Sequence, residues 1–132
     1  MPGTGSIDFE LTEQTAAALV TDVHALNAKL PQNVRLSRKA KSGLAKMGAK
    51  SVDFVESSLA HSQKNPALAP AAVIDVAAWA KDFQLARNGQ IVLSELRSLV
   101  EQLDDAVTLA GAEAMEAALL YYGVIQAVAE KL

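Results

Sequence analysis

The most constraining feature of the sequence is an apolar pattern in its last third, residues 94–132. Ten residues, here called the C-terminal stripe, recur at alternating spacings of four and three: Leu96, Val100, Leu103, Val107, Ala110, Ala114, Ala117, Tyr121, Val124 and Val128. This spacing keeps all ten on one face of a helix with about 3.6 residues per turn. A long helix that is apolar along one side must lay that side against other helices. We therefore expect the earlier segments to pack on it.

The composition favours an all-helical single domain. The chain has 132 residues, of which 51% are hydrophobic and only 5% aromatic. That length fits one domain, and much of the apolar content is alanine, the best helix former. The chain has no cysteine, which excludes disulfides, thiolate catalysis and cysteine-ligated metals.

Charge and hydropathy argue against several classes of partner. The formal charge of −3 is unlike that of a nucleic-acid-binding domain. The first six residues lack the basic and apolar regions of a secretory signal. The apolar run of residues 117–129, bracketed by Glu116 and Glu130, is shorter than the ~20 residues of a membrane span. We expect a cytoplasmic protein with no nucleic-acid partner and no membrane partner.

The N-terminal half predicts an arm and a first helix. Ile7, Phe9 and Leu11 alternate with acidic residues, and we interpret residues 1–11 as an extended arm rather than an isolated strand. Thr12 is the expected N-cap of a helix that runs to about Lys29. Its expected buried face is Ala16, Leu19, Val20, Val23, Leu26 and Leu30.

Two glycines in the middle of the chain, Gly48 and Gly89, can each either end a helix or lie inside one. Ser37 predicts the start of a helical stretch that reaches residue 64, and Gly48 either lies within one helix or separates two; we favour a break. A loop at residues 65–70 precedes a third helix, expected from Ala71. We favour its end at Asn88-Gly89, a typical helix C-terminus. Alternatively, that helix passes through Gly89 and the chain reverses near Gly111. The predicted fold is an up-and-down bundle of four main helices, with the last one longest.

Candidate chemistry is sparse. Six basic residues lie close together, at Arg35, Arg38, Lys39, Lys41, Lys46 and Lys50. They form either a patch for an acidic partner or, as we favour, a solvated face or a match to the acidic C-terminal helix. No Glu-x-x-His pair is present for a di-iron site. We expect no metal, no cofactor and no catalytic residue, and we lean against an enzyme.

The few aromatic residues suggest one ligand-binding hypothesis. A pocket between the third and last helices would contain Trp79, Asp82, Phe83, Glu113, Tyr121 and Tyr122. Indole and phenol groups would provide polar atoms in an apolar wall, which is typical of small-molecule sites. Core packing is the simpler interpretation of the same residues. We expect one of the two adjacent tyrosines to be buried, because they point about 100° apart on a helix.

Several short stretches carry a resemblance. They are Lys-Met-Gly-Ala-Lys-Ser-Val-Asp-Phe-Val-Glu at residues 46–56, Pro-Ala-Leu-Ala-Pro at 66–70, Leu-Asp-Asp at 103–105, Ala-Gly-Ala-Glu-Ala at 110–114 and Tyr-Tyr at 121–122. The chain resembles a group of small, uncharacterised bacterial all-helical proteins over roughly residues 30–130. The resemblance implies a helical bundle and no particular activity.

These observations leave three hypotheses for function, of which we favour least an enzyme or metal protein that uses Glu113, Asp82 and Asp104. The first is an interaction or assembly module that forms a homo-oligomer through its long helix. The second is a binder of a small apolar or aromatic ligand in the predicted aromatic pocket.

Overall fold

The computed structural model describes residues 7–131, and all regular secondary structure in that range is helical. The helices are α1 (Glu13–Ala28), α2 (Arg38–Ser42), α3 (Val52–Lys64) and α4 (Val76–Lys131), and a short 3₁₀ helix (Pro66–Leu68) lies between α3 and α4. The predicted all-α class is confirmed. Residues 1–6 of the predicted arm lie outside the described range, and residues 7–12 form neither helix nor strand.

Helix α1 begins as the sequence predicts. The Thr15 backbone N–H donates to Thr12 Oγ1 at 3.1 Å, which satisfies one of the free N–H groups of the first turn. The helix ends at Ala28, one residue before the expected end. The next turn is closed by the Leu30 N–H, which donates to the Asn27 carbonyl at 3.1 Å.

The second helical stretch is broken, although not at the expected residue. Ser37 caps α2 by accepting a hydrogen bond from the Ala40 N–H at 3.0 Å, and Gly43 is the C-cap. Gly48 lies in the following loop, where its carbonyl accepts from the Ser51 and Val52 N–H groups. The stretch does form two helices, but the first already ends before Gly43, and Gly48 leads into α3 instead of ending a helix.

Helix α4 is continuous over 56 residues. The predicted break at Asn88-Gly89 is wrong, and the alternative reversal near Gly111 does not occur either. Neither glycine has a left-handed backbone, and no atom would crowd a Cβ at either position. Each costs about 1 kcal/mol relative to alanine. A helix break would instead leave several backbone groups without partners, so continuation is the better local solution.

The start of α4 also differs from the prediction. The expected third helix begins at Ala71, but residues 70–74 form a turn in which the Val73 and Ile74 N–H groups donate to the Pro70 carbonyl. Asp75 then caps α4, because its Oδ1 accepts from the Ala78 N–H at 2.9 Å. An aspartate directly before an apolar helical pattern is a standard N-cap signal, and it marks the true start.

The chain divides into two compact units. One comprises Met1–Leu26 and Glu95–Leu132, and the other comprises Asn27–Ser94. Of the described residues, only Leu59 and Ser62 of α3 are buried, both in the second unit. The Ser62 hydroxyl donates to the Leu59 carbonyl at 2.7 Å. The first unit contains no buried residue in the range that the structure describes, so its apolar helix faces remain accessible.

Candidate functional site

The C-terminal stripe is exposed along almost its whole length. Nine of its ten residues are exposed, and Leu96 is half-buried. Its six larger exposed side chains, those of Val100, Leu103, Val107, Tyr121, Val124 and Val128, retain 55–67% of their accessible surface. Within the first unit, the described residues that precede α4 therefore do not cover the stripe, contrary to the expectation for this part of the chain. A continuous apolar surface of this kind usually marks a contact site.

Helix α1 does not cover the stripe within the first unit. Among the described residues of that unit, no Cα atom of α1 lies within 8 Å of a Cα atom of α4. The apolar face of α1 is itself open: Leu19, Val20 and Val23 are exposed, and only Ala16 and Leu26 are half-buried. The predicted buried face of the first helix is thus a second accessible apolar surface.

Further apolar residues widen the stripe. Leu99, Leu120 and Ile125 flank it on α4 and are exposed. They were not among the predicted stripe residues, because the prediction kept only the positions at strict spacings of four and three. Their places next to the stripe in the helical repeat provide a signal that could have identified them.

Glu113 forms a contact with the segment that precedes α1. The Ile7 backbone N–H donates to Glu113 Oε1 at 3.2 Å, and both residues are half-buried. The carboxylate thus binds a neutral backbone group within the first unit. Nothing in this geometry gives Glu113 a role as an acid, a base or a metal ligand.

The six residues of the predicted aromatic pocket all lie on one helix. Trp79, Asp82 and Phe83 belong to the part of α4 in the second unit, and Glu113, Tyr121 and Tyr122 to the part in the first. The two helices that were expected to face each other are therefore one continuous helix. Both tyrosines are exposed, so the expectation that one of them is buried is wrong.

A shallow depression of about 400 Å³ lies beside Trp79 in the second unit. Of the predicted pocket residues, it contains only Trp79. Its other lining residues are Ser57, Ser58, His61, Ser62, Leu68, Ala69 and Ile74. The Ser62 hydroxyl already donates to a backbone carbonyl, and the depression contains no carboxylate or lysine. His61 is the one titratable side chain in its lining.

Arg87 links two helices within the second unit. Its Nη1 lies 3.4 Å from Glu56 Oε1 of α3, and its guanidinium carbon lies 6.0 Å from the centre of the Phe83 ring. The side chains of the ion pair are about half exposed, and an exposed pair contributes only about 0–1 kcal/mol. Arg87 therefore positions these helices weakly and does not form a reactive site.

The described residues also lack a metal site and a membrane-spanning helix. Across residues 7–131, no three His, Asp or Glu side chains come together as a possible metal site. No helix in the same range has both the length and the hydropathy to cross a membrane. Comparison of the chain with protein-family models, curated proteins and solved structures finds no match. The widened C-terminal stripe is thus the feature from which a function can be argued.

Proposed function

We propose that this chain is an assembly module whose working form is a homo-oligomer, with the C-terminal stripe at the contact between copies. The observation that carries the proposal is the exposure of the stripe: six large apolar side chains on one helix face are more than half accessible. A second copy of the chain carries the same apolar face, so it can cover this surface by symmetry.

The spacing of the stripe suits helix-to-helix packing. Alternating steps of four and three give an average period of 3.5 residues, which is the repeat of left-handed coiled coils. Valines at 100, 107 and 128 occupy the a positions of this repeat, and leucines at 96 and 103 occupy the d positions. The alanines at 110, 114 and 117 leave room for a close approach of two helices. A helix from another copy is therefore a natural occupant.

The shape of the surface also favours a helix over a small ligand. From Leu96 to Val128 the stripe extends about 48 Å along the helix, at about 1.5 Å per residue. Helix α1, with 16 residues, spans only about 24 Å. A small ligand binds in a concave pocket that encloses most of its surface, whereas the stripe is a long convex ridge.

The energy available from covering the stripe is sufficient for association. Complete burial of a valine or leucine side chain contributes about 1.5–3 kcal/mol. For six side chains that are 55–67% exposed, covering the remainder contributes about 8 kcal/mol per chain, or about 16 kcal/mol for a pair. Association costs about 4–15 kcal/mol. The stripe can offset this cost, and the flanking Leu99, Leu120 and Ile125 add to the gain.

Burial within the chain is slight. Leu59 is the only buried apolar residue among those that the structure describes. Contacts in obligate homodimers resemble a domain core divided between two chains, so a second copy can provide apolar packing that the described residues do not make.

We further propose that the up-and-down bundle forms between chains. Two copies bring together two α4 stripes and two α1 faces, and thus four apolar helix faces. Flanking residues such as Leu120 and Ile125 broaden the α4 face beyond the two positions per heptad that suffice for a simple two-stranded coil. A helical bundle covers a broad face of this kind better than a single partner helix does.

The proposal is tested by sedimentation with the variant Val124→Lys/Val128→Lys. Both side chains are more than half exposed in the chain, so lysines there are tolerated in a monomer but are buried without partners in an assembly. We expect the parent protein to sediment as an oligomer at micromolar concentration and the variant to shift towards the monomer. A parent protein that is monomeric throughout this range contradicts the proposal.

The matched control is Gln84→Lys/Gln90→Lys. Both residues are exposed on α4 and lie before the stripe begins at Leu96, so this variant adds the same charge to the same helix. We expect its sedimentation to match that of the parent protein. Equal dissociation of both lysine variants would show that added charge, and not the position of the stripe, controls assembly.

A further inference from the structure

The second feature that lacks a partner is a run of positive charge in residues 29–50, here called the cationic segment. No Asp or Glu occurs between Asp22 and Asp53. Seven of the chain's 12 basic residues lie in this interval: Lys29, Arg35, Arg38, Lys39, Lys41, Lys46 and Lys50. All seven are exposed. The segment therefore presents a concentrated positive charge on the surface of the second unit.

Local hydrogen bonds order the cationic segment without neutralising it. Lys46 Nζ donates to the carbonyls of Lys41 and Leu44, at 2.7 Å and 3.2 Å, and Arg35 Nη1 donates to the Val34 carbonyl at 3.3 Å. Residues 7–131 contain one ion pair, which joins Arg87 to Glu56. None of the seven cations thus has a carboxylate partner within the described part of the chain.

The complementary charge lies on α4. Residues 95–131 contain seven carboxylates and two basic residues. Five of the carboxylates, here called the acidic face, occupy helix positions away from the C-terminal stripe: Glu95, Glu101, Asp105, Glu116 and Glu130. None of them forms an ion pair in the described structure. A helix that uses its stripe for assembly therefore keeps its acidic face accessible to another part of the complex.

We propose that the cationic segment of one copy binds the acidic face of α4 in a second copy. This inference rests on the proposed self-assembly and adds a second, electrostatic contact to it. In a two-fold dimer the contact occurs twice, because each copy supplies one cationic segment and one acidic face. Charge complementarity of this kind sets the orientation of the partners and speeds their encounter.

The charge distribution favours a second copy over a nucleic acid. Outside the cationic segment the chain has five basic residues and all 15 carboxylates, a formal charge of −10. A phosphate backbone that approaches the segment meets this negative field, whereas the acidic face of another copy brings five carboxylates along α4. The segment also contains no aromatic residue on which a base could stack.

A charge-reversal exchange tests the contact. One variant is Lys39→Glu/Lys41→Glu, which reverses two charges on α2, and the other is Glu101→Lys/Asp105→Lys, which reverses two on the acidic face. In each variant alone, the two substituted positions meet like charges at both contacts, so the attraction is weakened: the segment keeps a formal charge of +3 in the first variant, and the acidic face keeps −1 in the second. We expect self-association to weaken at least about tenfold at low salt, and the difference from the parent to shrink as salt rises. Circular dichroism checks that the helices remain.

The decisive measurement is an equimolar mixture of the two variants. In one contact of a mixed complex, the substituted positions on α2 of one copy meet the substituted positions on the acidic face of the other with opposite charges. The second contact carries the charges of the parent protein. We expect the mixture to regain the association of the parent protein. Recovery only in a single chain that carries all four substitutions would place the contact within one chain and overturn the inference.

Other outcomes separate this inference from the proposed function. If both charge variants assemble like the parent while Val124→Lys/Val128→Lys dissociates, the electrostatic contact is refuted and the apolar assembly stands. A monomeric parent protein refutes the assembly itself. Tight binding of a short single-stranded DNA by the parent, lost in Lys39→Glu/Lys41→Glu, together with unchanged assembly of that variant, would assign the segment to nucleic acid instead.

Discussion

Leu103→Ala distinguishes a packed stripe from a solvated one. Leu103 lies in the middle of the C-terminal stripe and is 56% exposed in the chain. Less than half of its side chain is thus removed from water, and its loss from an isolated chain costs about 1 kcal/mol. In an assembly that covers the stripe, the same substitution leaves a cavity and costs about 2–5 kcal/mol. The two situations therefore differ by a measurable amount.

The assay is urea unfolding followed by far-ultraviolet circular dichroism, at two protein concentrations about a hundredfold apart. We expect the large loss at the higher concentration, where the assembly forms, and a smaller loss on dilution. Leu68→Ala is the matched control, because Leu68 is 69% exposed and belongs to the 3₁₀ helix of the second unit. We expect it to cost less than about 1 kcal/mol at both concentrations.

One result would refute the reasoning directly. A change within about 0.5 kcal/mol for Leu103→Ala at the higher concentration is typical of a solvated surface residue, and it would show that the stripe faces water in the working protein. Val107→Ala, one turn further along the stripe, should follow the same concentration dependence. If either variant loses the same free energy of unfolding at both protein concentrations, the stripe packs against residues of its own chain.

Three further predictions concern α4 and metal content. Gly89→Ala should raise the free energy of unfolding by about 0.5–1 kcal/mol, because Gly89 lies inside a helix with open space around it; a loss in urea unfolding would indicate a helix end there. Asp75→Ala should lower that free energy by about 1 kcal/mol through loss of the N-cap, whereas Asp75→Asn, which can still accept from the Ala78 N–H, should cost clearly less. Elemental analysis of protein purified without chelator should find no stoichiometric zinc or iron, because cysteine is absent and neither histidine has a carboxylate three residues before it; one metal per chain would contradict this.

Local signals predicted most of the helical elements. The hydroxyls of Thr12 and Ser37 accept backbone hydrogen bonds at the starts of α1 and α2, as predicted, because capping involves only a few neighbouring residues. The all-α class followed from composition and from apolar spacing, which are also local properties. The N-cap at Asp75 has an equally local signal in the sequence. The prediction nevertheless placed the start of α4 too early, in the turn after Pro70.

The candidate site was predicted only in part. The ten stripe positions were identified from their spacing, since helical phase alone determines which side chains share a face. The predicted aromatic pocket depended on a chain reversal between Phe83 and Tyr121, and the continuous α4 removes that reversal. The pocket prediction failed because it assumed that a helix ends at Asn88-Gly89. A glycine inside a helix costs only about 1 kcal/mol relative to alanine, and the helix continues through it.

The sequence by itself determined that this chain is helical, where α1 and α2 begin, and which residues form an apolar face on α4. Only the tertiary structure decided that α4 passes through Gly89 and Gly111 and that its apolar face stays accessible. The physical reason lies in the range of the interactions. Capping and helical phase depend on residues a few positions apart, whereas the covering of a face depends on segments far away in the chain or in another copy. The same stripe would have the same spacing whether it lay in a core, at an interface or in water.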